Sequence, residues 1–446
     1  MKIYYLRAFL ITFLISLAAP AVAESSSHDD IIALRQALSE LRNDYENRIK
    51  DLERRLTLAE AKTETTLEIA EEAALAPVVT SRSANDFNPA IGLVLVGTVG
   101  TRNNDDDYTV PGFSLPDEAG PVNDGLSLGE SELNLNANID DKFFGNLTLA
   151  VAADGAETEV ELEEAYIQSL FLPGGLNLTA GRFFSGVGYL NAFHAHSDDF
   201  TDRPLAYEVF MGGQYKDDGL RLSWTLPTSR FIELGAELFR GESFPAAGAA
   251  HDGTGSWTLF AATGGDLGVS SSWKAGLGYI HASVIDRPVD PNDDNAEQFS
   301  GDSRLTNLNF VWKWSPLGNS VSQNFKLQGE YFSRREAGEL NANPYSGNQS
   351  GWYLQGTWQF KRQWIAGYRH GSARADNQLI LPAPLTSSLS TRDLGAIDRD
   401  SLILSWVNSE FSRIRLQYNN STGLDNDSRW VLQYIVSLGA HGAHQF

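Results

Sequence analysis

The segment from 184 to 217 holds the densest group of side chains that could do chemistry. Its charged and imidazole residues are His194, His196, Asp198, Asp199, Asp202, Arg203 and Glu208. Imidazole nitrogen and carboxylate oxygen are donors that Zn²⁺ binds. We therefore treat His194, His196 and Asp198 as a candidate metal site, with Zn²⁺ as a bound or transported ion and not as a resident cofactor. The alternative, exposed polar side chains of a surface loop, stays open.

Other chemistry finds little support in the chain. It has no Cys, which excludes disulfides and thiolate metal sites. It contains no GxSxG elbow, phosphate-binding loop or dinucleotide fingerprint. The formal net charge is −23, and so acidic a chain is poorly suited to binding nucleic acid. The sequence therefore predicts neither an enzyme nor a nucleic-acid partner.

A second set of charges is basic and lies on predicted strands. At positions whose parity points into a lumen stand Arg221, Lys274, Lys313, Lys326, Arg369, Arg413 and Arg415. An acidic loop opposite a basic wall would produce a transverse field across a pore. Sequence alone does not show whether these residues lie opposite the loop.

The element that must position these residues is a series of strands with a period of two. In the last one, 428–446, the even positions are apolar or aromatic: Trp430, Leu432, Tyr434, Val436 and Leu438. Sixteen strands are predicted, at about 90–101, 128–139, 144–152, 160–170, 175–183, 218–226, 231–239, 256–263, 270–282, 304–314, 323–333, 351–360, 363–371, 400–408, 412–420 and 428–446. One missed hairpin would make eighteen, and the strand at 160–170 fits neither parity.

The connections between these strands alternate in length. Short ones are predicted at 140–142, 173–175, 227–229, 264–266, 361–362 and 409–411, and long ones at 102–127, 184–217, 283–303, 334–350 and 372–399. Short periplasmic turns and long outer loops are typical of transmembrane β-barrels. The fold prediction is thus an all-β, antiparallel transmembrane barrel over 89–446.

The residues before the barrel differ in character. Residues 1–23 have a basic start, an apolar core and a small-residue cleavage site, as in a secretory signal peptide. Residues 24–77 carry a heptad-like apolar stripe that predicts a periplasmic coiled-coil helix. A helix lying on the barrel rim is the alternative. Residues 78–88 are predicted to be a linker.

Two stretches carry a family resemblance: Leu178–Phe184, with the sequence LTAGRFF, and Asp218–Trp224, with the sequence DGLRLSW. With the long segment between them, they resemble the phosphate-selective members of the outer-membrane porin superfamily. The resemblance implies that the loop after the fifth strand folds inward as the constriction, and that the terminal Phe446 belongs to the signal read by the barrel assembly machinery. Phosphate porins line their pores with Arg and Lys, whereas this loop is acidic.

A closer resemblance is to a group labelled zinc-regulated TonB-dependent outer-membrane receptors. It is carried by Leu128–Leu133, Gly181–Asn191 and the ending Gly439–Phe446. The label implies energised zinc uptake, but such receptors contain a plug domain, and the segment before residue 89 is predicted to be a helix.

From these observations we predict an outer-membrane channel for passive diffusion of small hydrophilic solutes or ions, with 184–217 as its constriction. We expect a homotrimer in contact with membrane lipid and lipopolysaccharide. Two alternatives remain open: a receptor or channel for zinc uptake that uses the histidines, and a structural tether in the periplasm.

Overall fold

The computed structural model describes Lys50 and residues 89–102, 108–116, 120–121, 124–154, 157–247, 253–290, 296–379, 387, 389, 395–423 and 428–439. Apart from Lys50, the predicted signal peptide 1–23, coiled-coil segment 24–77 and linker 78–88 lie outside the described residues. So do His441, His444 and Phe446. No helix of the described part is long and apolar enough to cross a membrane.

The described chain is dominated by antiparallel strands. They are β1 (Ala90–Arg102), β2 (Gly125–Leu128), β3 (Ser131–Asn138), β4 (Phe143–Asp154), β5 (Glu157–Ser169), β6 (Leu176–Phe184), β7 (Lys216–Thr225), β8 (Phe231–Phe239), β9 (Ser256–Leu267), β10 (Ser271–Pro288), β11 (Gln298–Trp314), β12 (Asn324–Leu340), β13 (Asn343–Lys361), β14 (Trp364–Leu379), β15 (Ile397–Ser409), β16 (Ser412–Thr422) and β17 (Ser428–Gly439). One α-helix, α1 (Leu205–Met211), lies between β6 and β7. Short 3₁₀ turns occur at Pro173–Gly175, Leu190–Ala192, Ala195–Ser197 and Pro316–Gly318.

The sheet closes on itself, because β17 pairs with β1 from Gly92↔Gly439 to Arg102↔Arg429. Segments β2 and β3 both pair with β1 and form one barrel strand that is interrupted at residues 129–130. The seventeen segments are therefore a barrel of sixteen strands. The predicted closed, antiparallel sixteen-strand barrel is confirmed.

The two faces of the strands differ in polarity. On β13 the outward side chains of Trp352, Leu354 and Trp358 are exposed, whereas the inward Tyr353 and Gln355 are buried. The last strand behaves in the same way, with exposed Trp430, Leu432, Tyr434 and Leu438. Apolar side chains with aromatics toward both ends are what lipid-facing strands carry.

Several strands extend beyond their predicted ends at the side of the barrel where the long connections lie, here termed the loop end. The predicted long connection 334–350 is wrong: β12 continues to Leu340, β13 begins at Asn343, and they are joined by Asn341 (φ 46°) and Ala342 (φ 63°). Positive φ at both central residues is typical of a type I′ hairpin turn. The outward face of this hairpin is polar, so the apolar alternation that marks a lipid-facing strand is missing there.

The same extension shortens the predicted connection 283–303, since β10 ends at Pro288 and β11 begins at Gln298. At the opposite end, here termed the turn end, the predicted turn 264–266 lies within β9, and the chain reverses after Leu267 with Gly268 at φ 69°.

Strand β5 contains a β-bulge. Thr148 pairs with Glu164 but the next residue, Leu149, pairs with Leu162, so that Glu163 is the extra residue. A bulge breaks the strict alternation of faces. Glu163 and Glu164 are both buried and both point into the barrel, where they contact His194. This explains why the sequence at 160–170 fits neither parity.

The interior at the loop end contains an apolar core. Helix α1 follows Pro204, ends at Gly212 in the left-handed conformation (φ 62°), and is buried along its whole length. Phe210 stacks on Phe332 of β12 at 5.7 Å and meets Phe113 edge-on at 5.6 Å. Burying a side chain of this size stabilises by about 1.5–3 kcal/mol. This core holds the segment between β6 and β7 in place.

Candidate functional site

The segment between β6 and β7, residues 185–215, is here termed the internal segment. It contacts strands on opposite sides of the closed sheet, which places it inside the barrel. On one side Asp199 accepts hydrogen bonds from Lys326 Nζ at 2.5 Å and from Gln355 Nε2 at 3.0 Å. These contacts join the internal segment to β12 and β13.

Asp202 makes the densest polar contacts on this side. Its carboxylate forms an ion pair with Arg369 of β14 and accepts hydrogen bonds from Gln417 and Asn419 of β16, each at 2.6 Å. Burial opposes the charge, but the positive charges of Arg369 and Arg429 outweigh it and hold the pKa of Asp202 far below its usual value. Asp202 is therefore a buried carboxylate that stays ionised.

Two arginines of β16 bind the backbone of the internal segment. Arg415 donates to the carbonyl oxygens of Asp198 and Phe200, the latter at 2.8 Å, and Arg413 donates to the carbonyl of His196. The Asp198 side chain pairs with Arg203 Nε at 2.9 Å. Burial raises the pKa of Asp198 to about 6, and Arg203 and Arg415 counteract part of this rise.

Glu208 of α1 is held by Arg399 of β15 at 2.6 Å and by the hydroxyl of Tyr108 at 2.5 Å. Arg399 also donates to the Tyr108 oxygen at 2.5 Å. The segment between β1 and β2 therefore joins the same network. All three side chains of the triangle belong to different parts of the chain, and two of them were not predicted.

Glu330 of β12 was also missed by the sequence reading. Its buried carboxylate accepts hydrogen bonds from the backbone N–H groups of Tyr189 (3.0 Å) and Leu190 (3.1 Å) and from the hydroxyl of Tyr207 (2.9 Å). Two further donors are Asn307 Nδ2 at 2.9 Å and the Tyr353 hydroxyl at 2.8 Å. The sequence signal for it was an acid at an inward position of β12, between Lys326 and Arg334.

On the opposite wall the internal segment meets glutamates of β3 and β5. His194 Nδ1 lies 3.0 Å from Glu132 Oε2 and 3.2 Å from Glu163 Oε2, and His194 Nε2 lies 3.3 Å from Glu164 Oε2. His196 Nδ1 lies 2.6 Å from Glu132 Oε1, and the two imidazole rings stack at 5.7 Å. Burial works against a charged imidazole, but hydrogen bonds to Glu132, Glu163 and Glu164 raise the pKa of His194 well above its usual value.

The donor set around His194 differs from the predicted one. In the described residues, the metal-capable group whose donor atoms lie within 4.8 Å of one another consists of Glu132, Glu163 and His194. The predicted partner Asp198 binds Arg203 instead, because the 3₁₀ turn Ala195–Ser197 directs the chain toward β16 before Asp198. His196 reaches the site only through its hydrogen bond to Glu132.

The predicted wall residues fall into two groups. Lys326, Arg369, Arg413 and Arg415 contact the internal segment directly. Lys313 stands opposite Lys326 in the β11–β12 register. Arg221 pairs with Glu237 at 2.6 Å, and Lys274 lies over the Phe231 ring at 5.5 Å near the turn end. Acidic loop and basic wall therefore meet as direct contacts and not across an open gap.

Comparison with known proteins supports the fold. No family model matches the chain. An uncharacterized protein of Aquifex aeolicus (strain VF5) is 27% identical over 397 residues, which cover 82% of this chain and 81% of that protein. The outer membrane channel DcaP of Acinetobacter baumannii superposes with a TM-score of 0.51 at 13% identity, over 79% of this chain and 96% of DcaP. Pseudomonas putida OprB, in its high-pH structure, gives 0.50 at 15% identity, over 79% of this chain and 94% of OprB.

Proposed function

We propose that this chain is an outer-membrane channel through which small hydrophilic solutes or ions diffuse passively. The observation that carries the proposal is a closed sixteen-strand barrel with an apolar outer face that holds a charged segment inside it. A sixteen-strand barrel is wide enough to enclose an aqueous passage. The solved structure of similar fold from A. baumannii is described as an outer membrane channel.

The internal segment is the proposed constriction. Its ion pairs to β12, β14 and β15 hold it across the interior, whereas inward side chains toward the turn end stay partly exposed and polar. These are Asn134, Asn136, Lys274, Asn309 and Lys313. A polar vestibule that leads to a charged narrowing suits hydrated solutes. Replacing residues 190–203 with a short Gly-Ser linker should therefore increase the single-channel conductance.

Planar-bilayer recording of the purified full-length protein tests the proposal. We expect conductance steps grouped in threes, as for a homotrimer, and a reversal potential across a KCl gradient that indicates weak cation preference, because the net charge is −23. Silence over a wide range of salt and voltage, with protein that migrates as a folded barrel in unheated gels, would overturn the channel function.

Zinc uptake is a second candidate, and the gathering of glutamates around His194 favours it. It would use the same barrel, with zinc as the solute. The measurement is the reversal potential across a ZnCl₂ gradient, compared between the wild type and a His194→Ala/His196→Ala variant. Equal zinc permeability relative to potassium in the two proteins would remove this candidate.

A further inference from the structure

The contact between His194 and the β3–β5 wall has the dimensions of a metal site. Zinc bonds of about 2.0–2.2 Å in a tetrahedral arrangement place neighbouring donor atoms about 3.3–3.6 Å apart. His194 Nδ1 lies 3.0 Å from Glu132 Oε2 and 3.2 Å from Glu163 Oε2. His194 Nδ1 is therefore slightly closer to each carboxylate than a bound ion would require, and all three donor atoms lie within 4.8 Å of one another, so that small side-chain movements would admit the ion.

Two irregularities of the barrel wall create this group. The interruption at residues 129–130 separates β2 from β3 just before Glu132, and the bulge in β5 adds Glu163 to the inward face beside Glu164. Without the bulge, only one of these two consecutive glutamates would point inward. Bulges of this kind frequently redirect side chains toward functional sites.

Further side chains orient the donors. Glu164 Oε2 lies 3.3 Å from His194 Nε2, so that the Nε2–H group donates to Glu164, while Nδ1 faces Glu132 and Glu163. A bound ion would replace the proton that Nδ1 shares with these two carboxylates. His196 Nδ1 holds the second oxygen of Glu132 at 2.6 Å. A carboxylate behind a ligating imidazole and a hydrogen bond behind a ligating carboxylate are the usual supports of metal ligands.

A nearby carboxylate supplies an independent observation. Glu130 lies beside Glu163 and Glu132, and its Oε1 atom is buried without a hydrogen-bond partner among the described residues. Four glutamates thus surround two imidazoles, with Lys216 engaged by Glu161 at 2.7 Å at the edge of the group. A buried acceptor without a donor costs free energy unless a cation or proton satisfies it.

We propose that His194 Nδ1, Glu132 and Glu163 bind one divalent transition-metal ion of the Zn²⁺ class, which links the internal segment to the β3–β5 wall. The mixed imidazole and carboxylate donors favour such ions over Ca²⁺ and Mg²⁺, which take six or more oxygen ligands. Binding itself does not depend on transport. Its effect on conductance rests on the proposed channel function.

The binding test uses the full-length protein in detergent, with a non-histidine affinity tag removed and metal stripped by EDTA. Calorimetry should show Zn²⁺ binding at this site that a large excess of Ca²⁺ or Mg²⁺ does not displace. Co²⁺ should give the intense visible absorption bands of a four-coordinate ion. Weak bands of six-coordinate Co²⁺, or displacement of Zn²⁺ by equimolar Ca²⁺, would overturn the proposal.

Variants locate the ion. Glu163→Gln and His194→Gln should each weaken Zn²⁺ binding by more than about 100-fold, and Glu164→Gln by about 10–100-fold, because it only supports the imidazole. His370→Gln is the matched control, since His370 pairs with Asp400 at 2.9 Å away from this group. The proposal is wrong if Glu163→Gln and His370→Gln bind Zn²⁺ equally well. Migration in unheated gels shows whether each variant is folded. If a variant does not fold, the Co²⁺ spectrum of the wild type still tests the proposed site.

A conductance measurement separates this proposal from the channel function. Zn²⁺ should shift the reversal potential of the wild type toward the value of an anion-selective channel, because a bound cation then lies at the constriction. It should have no such effect on Glu163→Gln. Zinc binding to a protein that never conducts would refute the channel and leave the site. Conductance without zinc binding would refute the site and leave the channel.

Discussion

Replacing Asp202 with Asn tests whether the internal segment is held by its buried charges. Asp202 binds Arg369, Gln417 and Asn419, and the side chains of Asp202 and Arg369 are only 8% and 3% exposed. Asparagine keeps the size of the side chain but removes the charge. Arg369 then stays buried without its counter-ion, while the neutral amide still accepts part of the hydrogen bonding.

Removing one partner of a buried ion pair costs about 3–5 kcal/mol. Because Asn keeps part of the hydrogen bonding, we take the lower value, about 3 kcal/mol. At about 1.4 kcal/mol per factor of ten, the equilibrium for local opening of the internal segment should rise by about 150-fold. Most of the other contacts of the segment are unchanged, so the barrel itself should stay folded.

Hydrogen exchange followed by mass spectrometry measures this opening directly. Peptides that cover residues 195–211 should lose protection by the predicted factor, while peptides from the β1–β17 seam should not change. Asp400→Asn is the control, because Asp400 is 47% exposed in its pair with His370, and exposed pairs contribute at most about 1 kcal/mol. A double variant, Asp202→Asn/Arg369→Met, should recover part of the lost protection, because no charge is then left unpaired.

A clear result refutes this reasoning. If Asp202→Asn exchanges within about threefold of the wild type, the pair contributes less than about 0.7 kcal/mol, and the apolar packing of α1 alone holds the segment. If Asp202→Asn and Asp400→Asn lose protection equally, burial of the pair is irrelevant to its strength.

Three further predictions follow from the same contacts. The lowered pKa of Asp202 means that its charge stabilises the folded segment above the unfolded pKa of about 3.9 and that this stability is lost as pH falls below it. The protection factors of 195–211, corrected for the intrinsic exchange rate at each pH, should therefore fall more steeply below about pH 4 in the wild type than in Asp202→Asn. Glu330→Gln should cost about 1–3 kcal/mol, because the amide replaces one acceptor oxygen by a donor and leaves buried donors of Tyr189, Leu190 or their neighbours unpaired. Exchange at 189–190 should report it, with the exposed Glu339→Gln as control. Deletion of 24–77 should leave conducting barrels that no longer sediment as trimers, whereas a structural tether would conduct neither with nor without this segment.

The strands were predictable wherever one face meets lipid and the other does not. On β17 that contrast marks every second residue, and the predicted pairing of the chain ends into a closed sheet is confirmed. This apolar–polar alternation is missing beyond the lipid, where outward residues such as Arg335 and Glu339 are polar. The sequence therefore predicts a long loop where the structure has the hairpin around Asn341. Hydrophobic periodicity reports the environment of a strand and not the strand itself.

The candidate site was predictable only in part. The length and charge of residues 184–217 predict that this segment forms the site. The positions of Arg369 and Arg415 in the alternation of their strands predict that both side chains face inward. The partners of His194 were not readable, because Glu132 and Glu163 are distant in sequence and Glu163 faces inward only through the bulge. A single extra residue in a strand moves a carboxylate from one side of the sheet to the other, and nothing in the local composition signals it.

The apolar packing of α1 against β12, β13 and β14 has a consequence for biogenesis. The barrel contains a small apolar core of the kind found in water-soluble proteins, and this core is enclosed by a sheet whose outer face is also apolar. Once β1 has paired with β17, a folded segment can no longer enter the barrel between these two strands. After that, the internal segment, which is connected to β6 and β7 at its two ends, can reach the interior only through the open loop end of the barrel.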